Sequence, residues 1–349
     1  MKKLKYILTS LVMLFSLGQV MAESEKEAEA AFNPQKIIFE HLGDEYGWKV
    51  WNLEIPLPVI VAGQDGKWHL FSSTRLQDGA TYEGFRIAEG GDYSGKVVEV
   101  DAQGNEYRPW DLSITKNVLA IIICGLVMFW AIFPLVRFYK RKPLGAPRKV
   151  PGMMEVVVDM LYRELIVGIL GKDARKFAPY LLTLFFFILF SNLLGLIVIF
   201  PGGANVMGNM AVTMVLAVCT FVVVNVSGTK HYWKEVFWPE VPAWLKVPVP
   251  MMPVIEIFGV FTKPVALMIR LFANMLGGHL ITLVLISLIF LFGAMGAVVT
   301  GVTTVVAVAF AVFMTIIDLL ICFIQAYVFM MLSTIFISLA RTKGNEVSD

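Results

Sequence analysis

Two apolar stretches, at about 252–292 and 303–340, each approach forty residues. A helix rises about 1.5 Å per residue, so a 38-residue helix is roughly 57 Å long, nearly twice the ~30 Å hydrocarbon core of a bilayer. Such helices fit only by tilting steeply or by running partly along the membrane. The chain is therefore read as a membrane protein. Composition agrees: 57% of its 349 residues are hydrophobic and only 16% are charged, against about 25% charged in soluble domains. The net charge of +2 offers nothing that calls for nucleic acid. Cys124, Cys219 and Cys322 all lie in apolar runs without CxxC spacing, as small buried hydrophobes do. No metal and no cofactor is expected.

Three further spans precede the long pair, at about 117–136, 178–200 and 208–226. The first is followed at once by Arg137, Lys140, Arg141, Lys142, Arg148 and Lys149. Ten basic residues fall between Arg137 and Lys176 and none in the loops after the second and fourth spans. The positive-inside rule then places the N-terminus outside and the C-terminal tail, 341–349, in the cytoplasm. Residues 152–172 carry Met154, Val157, Val158, Leu161 and Leu165 at helical spacing, with Glu155, Asp159, Arg163 and Glu164 between them. That pattern suits a helix lying in the membrane surface. Pro179 is taken to open the second span, and Pro264 to mark a kink.

The N-terminal part is a different material. Residues 1–22 have a basic start (Lys2, Lys3, Lys5), a short apolar run and small residues at the end, the layout of a secretory signal peptide. Residues 23–116 are too polar to span: 17 acids stand against 8 Lys/Arg in 23–115. ESEKEAEAAF reads as an arm, and WKVWNLEIPLPVIV, KWHLFSS and VVEVDAQGNEY as short strands with turn punctuation. His41 and His69 stand alone in sequence, without a metal or nucleophile pattern around them. The expected fold is an all-α membrane domain over 117–340 with five transmembrane helices, the last two a long tilted antiparallel hairpin, plus a small extracytoplasmic module with short strands.

Ionisable groups inside a span are costly and point to function. Glu256, Lys263 and Arg270 follow one another at intervals of seven. Seven residues turn a helix by about −20°, so they share a stripe, which Asn274 joins one turn on. From 271 to 340 the only formally charged side chain is Asp318. Gln325 follows it by seven residues. His279 is nine residues past Arg270, about half a turn away around the helix. The His279/Asp318 pair and Arg270 are thus expected on different walls, as two polar compartments with a fixed positive charge between them. Asn274 and Gln325 suit helix-to-helix glue equally well, and Glu256 and Lys263 suit snorkelling. A secondary transporter holding an anion at Arg270 is the main rival, but such proteins show related halves and no internal repeat is found.

The run KPVALMIRLFANMLGGHLI, then DLLICFIQAYVFMML, with SNLLGL at 191–196 and Glu256, resembles the family of subunit a of the F-type ATP synthase, the membrane stator of that rotary motor. The resemblance covers about 117–340. It implies that Arg270 faces the essential carboxylate of a ring of c subunits, with Asn274 and Gln325 as polar neighbours. His279 and Asp318 would line the proton inlet, and Glu256 with Lys263 would lie toward the cytoplasmic exit. It also implies peripheral-stalk b subunits and a soluble F1 sector as partners, a bacterial inner-membrane location, and no catalysis by this chain alone. No Walker-type loop is present. Many bacterial members carry an acid at the His279 position and a histidine at the Asp318 position; here the two are exchanged. Residues 23–116 exceed the usual N-terminal tail of the family.

Overall fold

The computed structural model describes residues 44–50, 53–88, 93–101, 105–142, 145–197, 204–237, 251–293 and 297–342. The expected signal peptide, the arm that follows it, and His41 lie outside these residues. Among the described residues the chain is mostly helical, with a small strand-rich module ahead of five helices long and apolar enough to cross a membrane.

Among the described residues the N-terminal module has eight short strands: β1 (Gly47–Val50), β2 (Leu53–Pro56), β3 (Pro58–Ala62), β4 (Trp68–Ser72), β5 (Phe85–Ile87), β6 (Val97–Val100), β7 (Glu106–Tyr107) and β8 (Trp110–Asp111). They form a β1–β2 hairpin and two antiparallel three-stranded sheets, ordered β4–β3–β8 and β5–β6–β7. Strand alternation sends Val59, Val61 and Phe71 inward against Leu76, Phe85 and Val97. Tyr46 closes this core. Its hydroxyl donates to Asp111 Oδ2 at 2.5 Å and accepts from the Val97 N–H at 3.3 Å. Burial first, and the Asp111 carboxylate second, push that phenol well above its usual range. The solitary His69 is a structural residue: Nδ1 lies 2.6 Å from Glu83 Oε2 and the ring packs 5.1 Å from Phe85.

The helices of this part are α1 (Lys116–Arg141), α2 (Val150–Met160), α3 (Ala174–Leu196), α4 (Met210–Ser227), the short α5 (Lys230–Phe237), α6 (Met251–Gly293) and α7 (Ala297–Arg341). Several helices outrun the apolar spans expected from sequence. Helix α1 continues to Lys140 and Arg141, whose charges suit the carbonyl end of a helix dipole. Helix α7 begins six residues before 303, because small apolar residues and a tolerated Gly301 extend it toward the turn. Pro179 sits inside α3 rather than at its start.

Helix α3 is the centre of the bundle. Phe177, Leu181, Leu184, Phe185 and Ile188 are buried along it, and α1 lies antiparallel against it, with Cys124 Sγ 3.2 Å from Ser191 Oγ. The segment expected in the membrane surface is helical, but it continues through one π-helical stretch (Leu161–Val167) into Gly168–Leu170. Its apolar stripe, Met154, Val157, Val158, Leu161 and Leu165, covers this protein core. Gly171, at φ +52°, then interrupts the helical path before α3, a conformation a side chain would strain. The β1–β2 hairpin joins the same core through Trp48 and Ile55.

Contacts divide the chain into two compact units. One takes in Gly277–Ile316; the other takes in Asp44–Leu276 and the residues from Ile317 onward. Within the second unit the far end of α7 is tied down. Arg341 makes a bidentate pair with Asp173 at 2.9 and 3.1 Å, Ser338 Oγ donates to the Ile169 carbonyl, and the Thr229 N–H donates to the Ala340 carbonyl at 2.9 Å. This clasp holds the Arg341 end of α7 in that unit. Within the first unit, Thr300 Oγ1 donates to the Phe292 carbonyl across the turn at 3.3 Å.

Candidate functional site

Helix α6 has two faces. Leu267, Leu271 and Met275 recur every four residues and are buried, while Lys263, Arg270 and Asn274 are exposed. His279 continues the spacing of the buried row and is half-buried. Arg270 is flanked by the exposed Ile269 and the fully buried Leu271. Among the described residues it has no acidic partner, so its charge is presented outward from the chain.

One turn on, Asn274 reaches back to α7. Its Nδ2 donates to Gln325 Oε1 at 2.7 Å. Gln325 is only 5% exposed, and among the described residues its own Nε2 has no hydrogen-bond partner. A buried amide donor left unsatisfied costs about 1–3 kcal/mol, so it is a group suited to a water or an acceptor from outside the chain. Asp318 is half-buried on α7, two turns before Gln325. The structure thus brings Asn274 and Gln325 together beside Arg270. His279 falls in the other compact unit.

Glu256 and Lys263 lie toward the Arg341 end of the bundle. Lys263 Nζ sits 5.6 Å from the Phe336 ring centre. A cavity of about 30 Å³, the space of a single water, is lined by Lys263, Pro264, Asn225, Tyr232, Thr220 and Phe336 among others. Tyr232 donates to Asn225 Oδ1 at 3.4 Å, and Asn225 Nδ2 donates to the Phe221 carbonyl at 2.7 Å. Burial, then the carboxylate of Glu256, raises the Tyr232 hydroxyl above its ordinary range. Sequence reading missed Tyr232 and Asn225. The stretch KHYWKEVF shows only interfacial tryptophan and alternating charge, and the contact with α6 depends on how α4 and α5 fold back. Among the described residues no group of histidine, cysteine and acidic side chains is arranged to hold a metal.

The family model described as ATP synthase A chain matches residues 118–338, all five membrane helices. The chain belongs to the ATP synthase A chain family. ATP synthase subunit a of Myxococcus xanthus is 39% identical over 247 residues, covering 68% of this chain and 76% of that protein. ATP synthase subunit a of Chloroherpeton thalassium is 36% identical over 242 residues, covering 67% and 68%. ATP synthase subunit a 2 of Chlorobaculum tepidum is 39% identical over 255 residues, covering 71% and 69%. This member of the A chain family is a multi-pass membrane protein. A second family model, described as a domain of unknown function (DUF8433), matches residues 37–112, the strand-rich module.

Proposed function

We propose that this A chain is the stator of the proton motor of an F-type ATP synthase, and that Arg270 faces the ion-binding carboxylate of a rotating c ring. The observation that carries the reading is the exposed Arg270, without an acidic partner among the described residues, one turn from the Asn274–Gln325 bond. An arginine at membrane depth keeps its proton and needs an anion. A carboxylate on a neighbouring rotor supplies one, and the spare Nε2 of Gln325 offers that carboxylate, or a water beside it, a second donor.

In this mechanism a proton enters from outside through water near His279 and Asp318. It neutralises a rotor carboxylate, which can then face lipid, where the ionised form would be very costly. After nearly a full rotation the site reaches the cytoplasmic side and loses its proton by way of Glu256 and Lys263. Arg270 attracts the ionised carboxylate and, being permanently charged, blocks a direct proton leak between the two half-channels. Each proton that crosses 100 mV contributes about 2.3 kcal/mol, so several together can drive ATP synthesis in the soluble F1 sector. The N-terminal module lies outside a bacterial inner membrane and the C-terminus in the cytoplasm, with peripheral-stalk b subunits holding the stator. The chain itself carries out no bond chemistry.

Arg270→Ala tests the assignment: membranes carrying it should lose proton-driven ATP synthesis while the c ring and b subunits still copurify with the chain. Retained synthesis would overturn it. Asp318→Asn or His279→Ala should slow proton uptake with a milder loss of synthesis.

A further inference from the structure

Strand β3 pairs with β4 on one side and β8 on the other, and the register puts six side chains in two rows across the outward face of this sheet. Trp68 and Trp110 both pair with Ala62. Leu70 pairs with Ile60, whose carbonyl accepts from the Leu112 N–H. By alternation these side chains point away from the Val59–Val61–Phe71 core. Trp68 is 59% exposed, Leu70 71%, Trp110 83% and Leu112 65%. A contiguous uncharged patch with two tryptophans at its edge is not a surface that a soluble module leaves in water.

We propose that this face rests in the headgroup layer of the bilayer leaflet at the Lys116 end of α1. Its attachment to the membrane helix favours lipid over a protein partner. The Ile114 N–H donates to the Pro58 carbonyl, the Lys116 N–H to the Glu45 carbonyl, and the Asn117 N–H to Asp44 Oδ1. The sheet is therefore hydrogen-bonded down to the first turn of α1, with no free linker between them. Leu112 is four residues from Lys116, at most about 14 Å of extended chain. Apolar exposure resumes within a few residues on the helix with Val118, Ile122 and Leu126, so exposed apolar side chains continue along the chain from the sheet into α1. Tryptophan prefers that depth, where its ring is in apolar surroundings and its N–H is wet. The rows carry no charge, so the contact should not depend on anionic lipid. The inference rests on α1 crossing the bilayer and not on the proton path.

The test is photo-crosslinking in the intact ATP synthase complex in phosphatidylcholine liposomes, with Trp110→p-benzoylphenylalanine, and with the same replacement at Asp101 on a turn of the other sheet as control. Trp110 is exposed, so the replacement does not disturb the core. Mass spectrometry should find the Trp110-site peptide carrying phosphatidylcholine, several-fold above the Asp101 control. Adducts to another protein chain, to a second copy, or to residues 23–43 of the same chain would overturn the proposal. Equal lipid labelling at both sites, or no adduct at the Trp110 site, would overturn it as well. ATP synthesis measured on the same liposomes reports separately on the Arg270 reading.

Discussion

Helix α3 and the α6–α7 pair are almost equally apolar, yet they are used in opposite ways. Half of the most apolar 18 residues of the helical run Val150–Leu196 is buried within the chain, against 11% in α6 and 17% in α7. Helix α3 buries phenylalanine and leucine against α1, and Phe185 meets Phe186 and Phe323 edge to face. The α6 and α7 pair keeps its apolar side chains outward and carries the polar residues. Hydropathy therefore identifies what crosses the membrane but not what faces protein. In this chain the long α6 and α7, which pack little with their own neighbours, hold Arg270, His279 and Asp318, whereas the equally exposed α4 carries no charge.

The contrast can be broken by substitution. Arg270→Ala should abolish coupled ATP synthesis while barely changing thermal stability, because the side chain is exposed; a large fall in melting temperature would make Arg270 a packing residue. Phe185→Ala should do the reverse, costing about 3–5 kcal/mol through the cavity it leaves. Phe310→Ala, on an exposed face of α7, should cost under about 1 kcal/mol in the isolated chain, where no core contact is lost. Equal costs for the two phenylalanines would erase the distinction between the regions.

Smaller effects sharpen it. A double-mutant cycle on Asn274→Ala and Gln325→Ala should return a coupling of about 0.6 kcal/mol, and no more than about 1.7, the range for hydrogen bonds between membrane helices. A coupling of zero would mean that the bond does not set helix register. The smallest effect belongs to the N-terminal module. Hydrogen bonding to His69 holds the Glu83 carboxyl below its usual range. A depressed carboxylate contributes stability above its unfolded pKa and loses it as pH falls through the lower folded value. Glu83→Gln should therefore lower the melting temperature slightly at neutral pH and not at all in acid, as read by pH-dependent thermal unfolding.

Much of the fold was legible from the chain. The lengths of the α6 and α7 stretches called for an outsized hairpin, and the seven-residue spacing of Glu256, Lys263 and Arg270, with Asn274 one turn on, called for one stripe, of which Lys263, Arg270 and Asn274 are exposed and Glu256 is half-buried. Asn274 and Gln325 were legible as polar neighbours of Arg270 only through the family resemblance, and their direct bond emerges from the packing of α6 on α7. Other features were hidden because they depend on packing at long sequence separation. The stripe of Met154, Val157, Val158, Leu161 and Leu165 reads as membrane-seeking, since periodicity does not distinguish lipid from the buried side of α3. Tyr232 and Asn225 reach Lys263 only after α4 and α5 fold against α6. In the module, β5 and β8 are too short for alternation to register, so the flat row formed by Trp68, Ala62 and Trp110 emerges only once β8 is paired with β3.

The most direct test of the central claim is proton uptake into vesicles containing the reconstituted complex, wild type beside Arg270→Ala, with the F1 sector removed and then restored. If Arg270 separates two half-channels beside a rotor carboxylate, the mutant vesicles should still pass protons but show no uptake coupled to ATP hydrolysis once F1 is restored. Unchanged coupled pumping in the mutant would contradict the account and leave Arg270 as a charge on a helix surface.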